Sequence, residues 1–321
     1  MAKGGLRRLI AELRGAVAAE DGDAALARLS VKRTTSDAAL VELVGGAVVA
    51  GEPIAQIAVA GQWGAGAERI SDLQAREVAV VSIGRNVYTR VPTAEARVRL
   101  LEAARRAART AVVVHVPVID DGSHLGRVAI DAPRAVLRAA GLPVAEPGDR
   151  FLPRYTHGFF DEEALLGELA RAGLAVTKRH GFRFLTQPAV NGTRAEDADP
   201  FVTELRRVVQ MVREVDRERK NESPQQVLAA MRARGAGARE RGPIGRARLR
   251  RAVGWTDALL PGSPSCYRRV LLEVALDGGA ARETVVFGLD VGSTGHVAFE
   301  NREERLFDVS FTIPPSSATR P

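Results

Sequence analysis

Along the first 190 residues, short apolar runs alternate with stretches of helical period. "EPIAQIAVAG" (Glu52 to Gly61) predicts a short strand. "REVAVVSIG" (Arg76 to Gly84) predicts a stronger one, a β-branched run closed by glycine. In "TAEARVRLLEAARRAAR" (Thr93 to Arg109), Val98, Leu100, Leu101 and Ala104 lie towards one side and arginines on the other, the pattern of an amphipathic helix. "TAVVVHVPVI" (Thr110 to Ile119) reads as the next buried strand and "DDGSHLG" as its loop. Strand, helix, strand at this spacing predicts a crossover unit and a parallel sheet. "FFDEEALLGELARAGLAV" (Phe159 to Val176) predicts a helix capped by Asp161, acidic in its first turn and ended by Gly173. "VTKRHGFRFLTQPA" then reads as a terminal strand or hairpin.

The second half begins with a loop, "NGTRAEDADP", and a long amphipathic helix, "PFVTELRRVVQMVREVDRERK". Another helix starts at Ser223-Pro224 and dissolves into glycine and arginine. Past it, "CYRRVLLEVALDGG" predicts a helix that buries Leu271, Leu272, Val274 and Ala275 and ends at Gly278-Gly279. Three strands follow: "ETVVFGLD", "GHVAFEN" and "RLFDVSFT", the last two joined by a tight "NREE" turn. The expected organisation is an α/β domain over 1–190, a helical, Arg-rich linker over 191–245 and a small α+β module over 246–321.

Charge sharpens the middle of this picture. The chain carries a formal +7. From Met231 to Arg251, "MRARGAGARERGPIGRARLRR" holds eight arginines and one glutamate, so the remainder is near neutral. No aromatic interleaves those arginines, which disfavours nucleic acid. A solvated linker or a surface for an acidic peptide fits them better. No apolar run approaches the ~18 residues of a spanning helix, so no membrane association is expected. The start reads as an amphipathic helix with Leu6, Ile10 and Leu13 on one face, not as a signal peptide. With one cysteine there is no internal disulfide and no cysteine metal cluster, and the chain reads as cytoplasmic and bacterial in kind. His115, His124 and His180 sit one per segment without metal-ligand spacing, so no metal is expected. Asp120-Asp121 reads as a solvated loop.

Cys266 is the residue on which function turns. Ser263 or Ser265 can cap its helix, which places the thiol at the first turn. There the unpaired N–H groups and the macrodipole favour an anion. His296 lies 30 residues on and Asp308 a further 12, at the head of one strand and within the next. In an antiparallel hairpin such positions can stand side by side. Thiol, imidazole and carboxylate are what nucleophilic catalysis needs, the imidazole taking the thiol proton and the carboxylate fixing its tautomer. The competing readings are a fold that has lost activity and a small buried packing residue.

"CYRRVLLEVALDGG", "VVFGLD", "GHVAFEN" and "LFDVSF" resemble the transglutaminase-like cysteine enzyme superfamily, and within it the leader peptidases of lasso-peptide biosynthesis, over about Pro243 to Pro314. The resemblance implies Cys266 as nucleophile, His296 as general base and acid and Asp308 as orienting carboxylate. It also implies a peptide amide substrate in the maturation of a peptide natural product. Val297 stands where a small residue is usual and Phe299 where tryptophan is usual. Upstream of the cysteine, Trp255 and Thr256 are present but no nearby glutamine that would mark the oxyanion hole.

"DLQAREVAVVSIGRNVYTRVPTAEARVRLLEAARRAAR", "TAVVVHVPV" and "RFLPRYTHGFFDEEALLGELARAGLAV" resemble the later half of a class I S-adenosylmethionine-dependent methyltransferase, over Ala75 to Pro188. That implies a Rossmann-like domain, with Tyr88, Tyr155 and His157 lining the substrate side; the alternative for each is packing under a loop. The early glycine-rich cofactor turn of such enzymes is not matched. Gly61, Gly64 and Gly66 in "AGQWGAGAERI" come too close to the next strand for the elements that should intervene. Three functional expectations therefore stand together. The first is a cysteine hydrolase or acyl transferase without a cofactor. The second is a methyltransferase using S-adenosylmethionine with a C-terminal binding appendage. The third is a non-catalytic peptide-binding scaffold. In the first, the N-terminal part binds the precursor peptide and the Arg-rich stretch meets an acidic leader segment.

Overall fold

The computed structural model describes residues 26–36, 38–44, 48, 51–59, 68–69, 72–91, 93–118, 149–150, 156–157, 162–180, 183–189, 199–260, 265–290, 294–300 and 307–315. They divide into two compact units, one up to residue 194 and one from residue 195 onward. The N-terminal helix expected around Leu6, Ile10 and Leu13 falls outside the described residues, as do Asp120, Asp121, His124 and Tyr155.

The N-terminal unit is a mixed α/β structure built on seven strands. These are β1 (Leu29–Thr35), β2 (Pro53–Val59), β3 (Glu68–Arg69), β4 (Val78–Ile83), β5 (Ala108–His115), β8 (Leu174–His180) and β9 (Arg183–Pro188), in the order β3-β1-β2-β4-β5-β9-β8. β2, β4 and β5 pair in parallel, β9 is antiparallel to both β5 and β8, and β1 is antiparallel to β2 and β3. Hence β2, β3, β4, β5 and β8 run one way and β1 and β9 the other. The continuous apolar run of β4 reflects cover on both faces: Val78, Ala79, Val80, Val81 and Ile83 are all buried. Two strands, β6 (Asp149–Arg150) and β7 (Thr156–His157), form a separate small ladder.

On one face of the sheet, α1 (Ala38–Val44) packs Leu43 and Val44 against Ile54, Val80 and Val113. A short α2 (Arg85–Tyr88) leaves the end of β4. α3 (Ala94–Ala107) begins as its sequence predicts, with the Thr93 hydroxyl accepting from the Ala96 N–H. α4 (Glu162–Arg171) follows the small ladder, and Gly173 after it adopts φ +72°, the left-handed conformation that ends a helix at little cost.

α3 buries an arginine as well as its apolar stripe. The Arg97 guanidinium is paired with the buried Glu168 carboxylate of α4, Nη2 at 2.7 Å from Oε1 and Nε at 3.0 Å from Oε2, and its Nη1 donates to the Val91 carbonyl. The Tyr88 hydroxyl completes the cluster by donating to Glu168 Oε2 at 2.5 Å.

The C-terminal unit has helices α5 (Phe201–Asn221), α6 (Pro224–Ala236), α7 (Pro243–Leu259), α8 (Cys266–Leu276) and α9 (Gly278–Ala281), and strands β10 (Val285–Leu289), β11 (Gly295–Phe299) and β12 (Asp308–Ile313). Their core gathers Val208, Val212, Val215, Leu228, Met231, Leu249, Val253, Leu271, Leu272 and Val285.

The Arg-rich stretch is part of this unit, not the linker that its composition suggested. α6 and α7 span most of it, with Leu249, Ala252 and Val253 buried. Its arginines bind the fold itself. Arg232 donates to the carbonyls of Glu283, Ile313 and Pro314. Arg241 donates to the Leu276 carbonyl and pairs with Glu204, and Arg246 pairs with Asp277 and Glu283. Gly235 permits the tight contact of α6 with α8, because a Cβ there would stand 1.9 Å from the Val274 carbonyl oxygen.

Candidate active site

Cys266 is the first residue of α8, and a buried carboxylate sets where that helix begins. Ser265 is the N-cap, its hydroxyl accepting from the Arg268 N–H at 3.3 Å. Asp257, on α7 and almost fully buried, accepts from the Ser265 N–H at 3.0 Å, from Arg268 Nη1 at 2.8 Å and from Arg269 Nε at 2.8 Å. Arg268 reaches on to Asp216 of α5 at 3.0 Å. The charge of Asp257 is thus balanced by two cations, without which its burial would cost several kcal/mol. The same bonds fasten the first turn of α8 to α5 and α7.

The thiol faces β11, its Sγ donating to the Gly295 carbonyl at 3.8 Å. His296, the next residue, is opposite Gly288 in the β10–β11 register. Its Nε2 is 3.2 Å from Oδ2 of Asp290. Asp290 is itself tied to Thr294 by two bonds: its Oδ1 accepts from the Thr294 N–H at 2.8 Å and its own N–H donates to the Thr294 carbonyl at 3.1 Å. The Phe307 ring stacks on the imidazole with centroids 5.4 Å apart. Gly288 leaves room for that ring, since a Cβ there would meet it at 2.3 Å.

Asp308 does not stand beside His296 as a hairpin would place it. The strand order is β11-β10-β12, and β10 lies between them. Asp308 is exposed and registers with Leu289. Both outer strands are antiparallel to β10, so they run parallel to one another with β10 between them, an arrangement that a two-strand hairpin cannot have. The carboxylate within reach of His296 is Asp290, six residues before it. The sequence signal for it was "GLDVGSTGH", an aspartate opening a glycine-containing turn.

The remaining candidates fall elsewhere. Tyr88 is completely buried against Glu168 and cannot line a substrate site; it is the packed aromatic of the alternative reading. Burial, then the negative charge of Glu168, holds its hydroxyl protonated well above the ordinary tyrosine range. His157 ends β7, whose backbone pairs with β6. Thr256 is no oxyanion donor, because its hydroxyl donates to the Ala252 carbonyl of its own helix at 2.9 Å. Trp255 packs edge-on against Phe201 with centroids 5.4 Å apart. His115 and His180 lie at the ends of β5 and β8. Among the described residues no three His, Cys, Asp or Glu side chains gather as a metal site, and no helix is long and apolar enough to cross a membrane.

Comparison with protein-family models, curated proteins and solved structures finds no match to this chain.

Proposed function

We propose that the C-terminal unit is a cysteine hydrolase or acyl transferase acting on a peptide amide through an acyl-enzyme. The observation that carries this reading is a thiol at a helix start, in contact with the carbonyl of the residue before a histidine whose Nε2 is held by a carboxylate. With Asp290 accepting a hydrogen bond from Nε2–H, the neutral tautomer of His296 carries its lone pair on Nδ1, which serves as the base. His296 takes the thiol proton as Sγ attacks the amide carbonyl carbon. The C–N bond then breaks, and the leaving amine takes the proton from His296. Water or an acceptor amine resolves the thioester, again through His296, and returns the thiol. The Cys266 N–H, in the first turn of α8 and without an intrahelical acceptor, is positioned to stabilise the oxyanion. Cys266 and His296 are the catalytic residues, and Asp290 takes the positioning role first given to Asp308. The link to peptide natural-product maturation rests on the family resemblance.

The test is the rate of Cys266 alkylation by iodoacetamide between pH 5 and 9. A rate that stays fast below pH 7, and falls in His296→Ala, is the expected result. A rate that follows an ordinary thiol in both proteins overturns it.

A second reading keeps a methyltransferase-like role for the N-terminal unit. In its favour, β2, β4 and β5 are parallel and end at one sheet edge, the place where such sheets bind ligands. S-adenosylmethionine binding by calorimetry tests it: micromolar affinity supports it, and an absence of heat removes it.

A further inference from the structure

Among the described residues of the C-terminal unit, α5 carries positive charge available to a partner. The arginines of the 231–251 stretch that seemed suited to an acidic segment are engaged: Arg232, Arg234, Arg241 and Arg246 all bind groups of their own unit. On α5, by contrast, Val202, Arg206, Val209, Arg213, Arg217 and Lys220 are all exposed. Their spacing of three and four residues puts them in one stripe, opposite the buried Val208, Val212 and Val215. The stripe is about 27 Å long at ~1.5 Å per residue. Among the described residues Arg206, Arg213 and Lys220 have no ion-pair partner, and Arg217 has only Glu218 at 3.9 Å. Of the acidic residues of the helix, Glu204, Glu214 and Glu218 fall outside the stripe, and Asp216, at its edge, is taken up by Arg219 and Arg268. The helix dipole accounts for cations in the last turns, where Arg217 and Lys220 are, and not for Arg206 and Arg213, two or more turns before the helix ends. Val202 and Val209, exposed by 67% and 52%, are one heptad apart, Val202 before Arg206 and Val209 between Arg206 and Arg213.

We infer that this face of α5 docks an acidic amphipathic peptide segment, the recognition element of the peptide acted on at Cys266; the link to Cys266 rests on the proposed function. The chemistry favours a peptide over the other occupants. A partner helix with apolar residues a heptad apart and flanking carboxylates matches both the valines and the cations. Nucleic acid would leave the valines uncovered and would find no aromatic on this face to stack on. An interfacial membrane helix needs a broad apolar face turned outward, whereas that of α5 is buried in its own core.

The experiment is fluorescence anisotropy on the full chain with a labelled 18-residue probe helix. The probe carries leucine at two positions seven apart and glutamate at four flanking positions. A version with glutamine for glutamate and a single-stranded RNA are run alongside. Saturable binding is expected, weakened by salt, at least tenfold weaker for the glutamine peptide and at least tenfold weaker in R206E/R213E/R217E. Cys266→Ala should bind as wild type does. No saturable binding of the acidic probe, equal binding by the triple variant, or tighter binding of RNA overturns the proposal. The alkylation experiment is read separately: an ordinary thiol with intact probe binding removes the catalytic reading and leaves the docking surface, and the converse result does the reverse.

Discussion

Each unit contains a buried carboxylate clasped by guanidinium, and the two clusters differ in what they hold. Glu168 in the N-terminal unit takes Arg97 and Tyr88, and all three side chains are sealed inside the packing of α2, α3 and α4. Asp257 in the C-terminal unit takes Arg268, Arg269 and the Ser265 N–H, and the chain that it fastens carries a partly exposed thiol. The ion-pair chemistry is the same. In the first case it closes a core; in the second it fixes where a thiol is presented. A buried charge pair is therefore no sign of a site by itself, and its neighbours decide.

Removing the carboxylates separates these roles. Glu168→Ala strands the Arg97 charge in the buried interior, so the largest loss is expected there, about 3–5 kcal/mol. Hydrogen exchange should show it as lost protection in α3 and α4, with Cys266 alkylation unchanged. Asp257→Asn keeps the shape and some hydrogen bonding, and its arginines are less deeply buried, so about 1.5–3 kcal/mol is expected. Its loss of protection should centre on residues 265–269, and Cys266 alkylation should move towards that of an ordinary thiol. Equal alkylation in both variants would erase the distinction.

Tyr88 gives a smaller effect with a pH signature. In Tyr88→Phe, Glu168 keeps Arg97, so the loss is about 1–1.5 kcal/mol. The folded state holds the Tyr88 hydroxyl protonated above the unfolded value of about 10. Its contribution is therefore complete below pH ~10 and is lost as pH rises through the raised folded value, because the unfolded chain ionises first. Wild-type stability should fall more steeply above pH 10 than that of Tyr88→Phe; parallel falls would contradict the burial of that hydroxyl.

What the sequence disclosed follows the range of the interactions involved. β4, β5 and α3 are legible from local pattern: an apolar run, or an apolar stripe opened by the Thr93 cap. The burial of Arg97 is not, because its partner is 71 residues away and an arginine in a helical pattern reads as solvated. The same habit of reading turned 231–251 into a linker, although Leu249, Ala252, Val253 and Thr256 already had helical spacing beneath the arginines. At the candidate site, the helix start at Cys266 and the strand of His296 were legible. The partner of His296 was not, because choosing between Asp290 and Asp308 requires the order of three strands, which no local window contains.

That choice gives the smallest and most discriminating prediction. The side chains of His296 and Asp290 are 37% and 34% exposed, a setting in which an ion pair contributes ~0.2–1 kcal/mol. Asp290→Asn should therefore slow Cys266 alkylation at pH 6 by about threefold, the rate equivalent of ~0.7 kcal/mol. Asp308→Asn should leave the rate within experimental error, because Asp308 is an exposed residue on the far side of β10. If Asp308→Asn slows the reaction and Asp290→Asn does not, β11 and β12 must become neighbours in the reactive state of the thiol. The carboxylate would then belong where the family resemblance put it, and the Asp290–Thr294 bonds would serve only the pairing of β10 with β11.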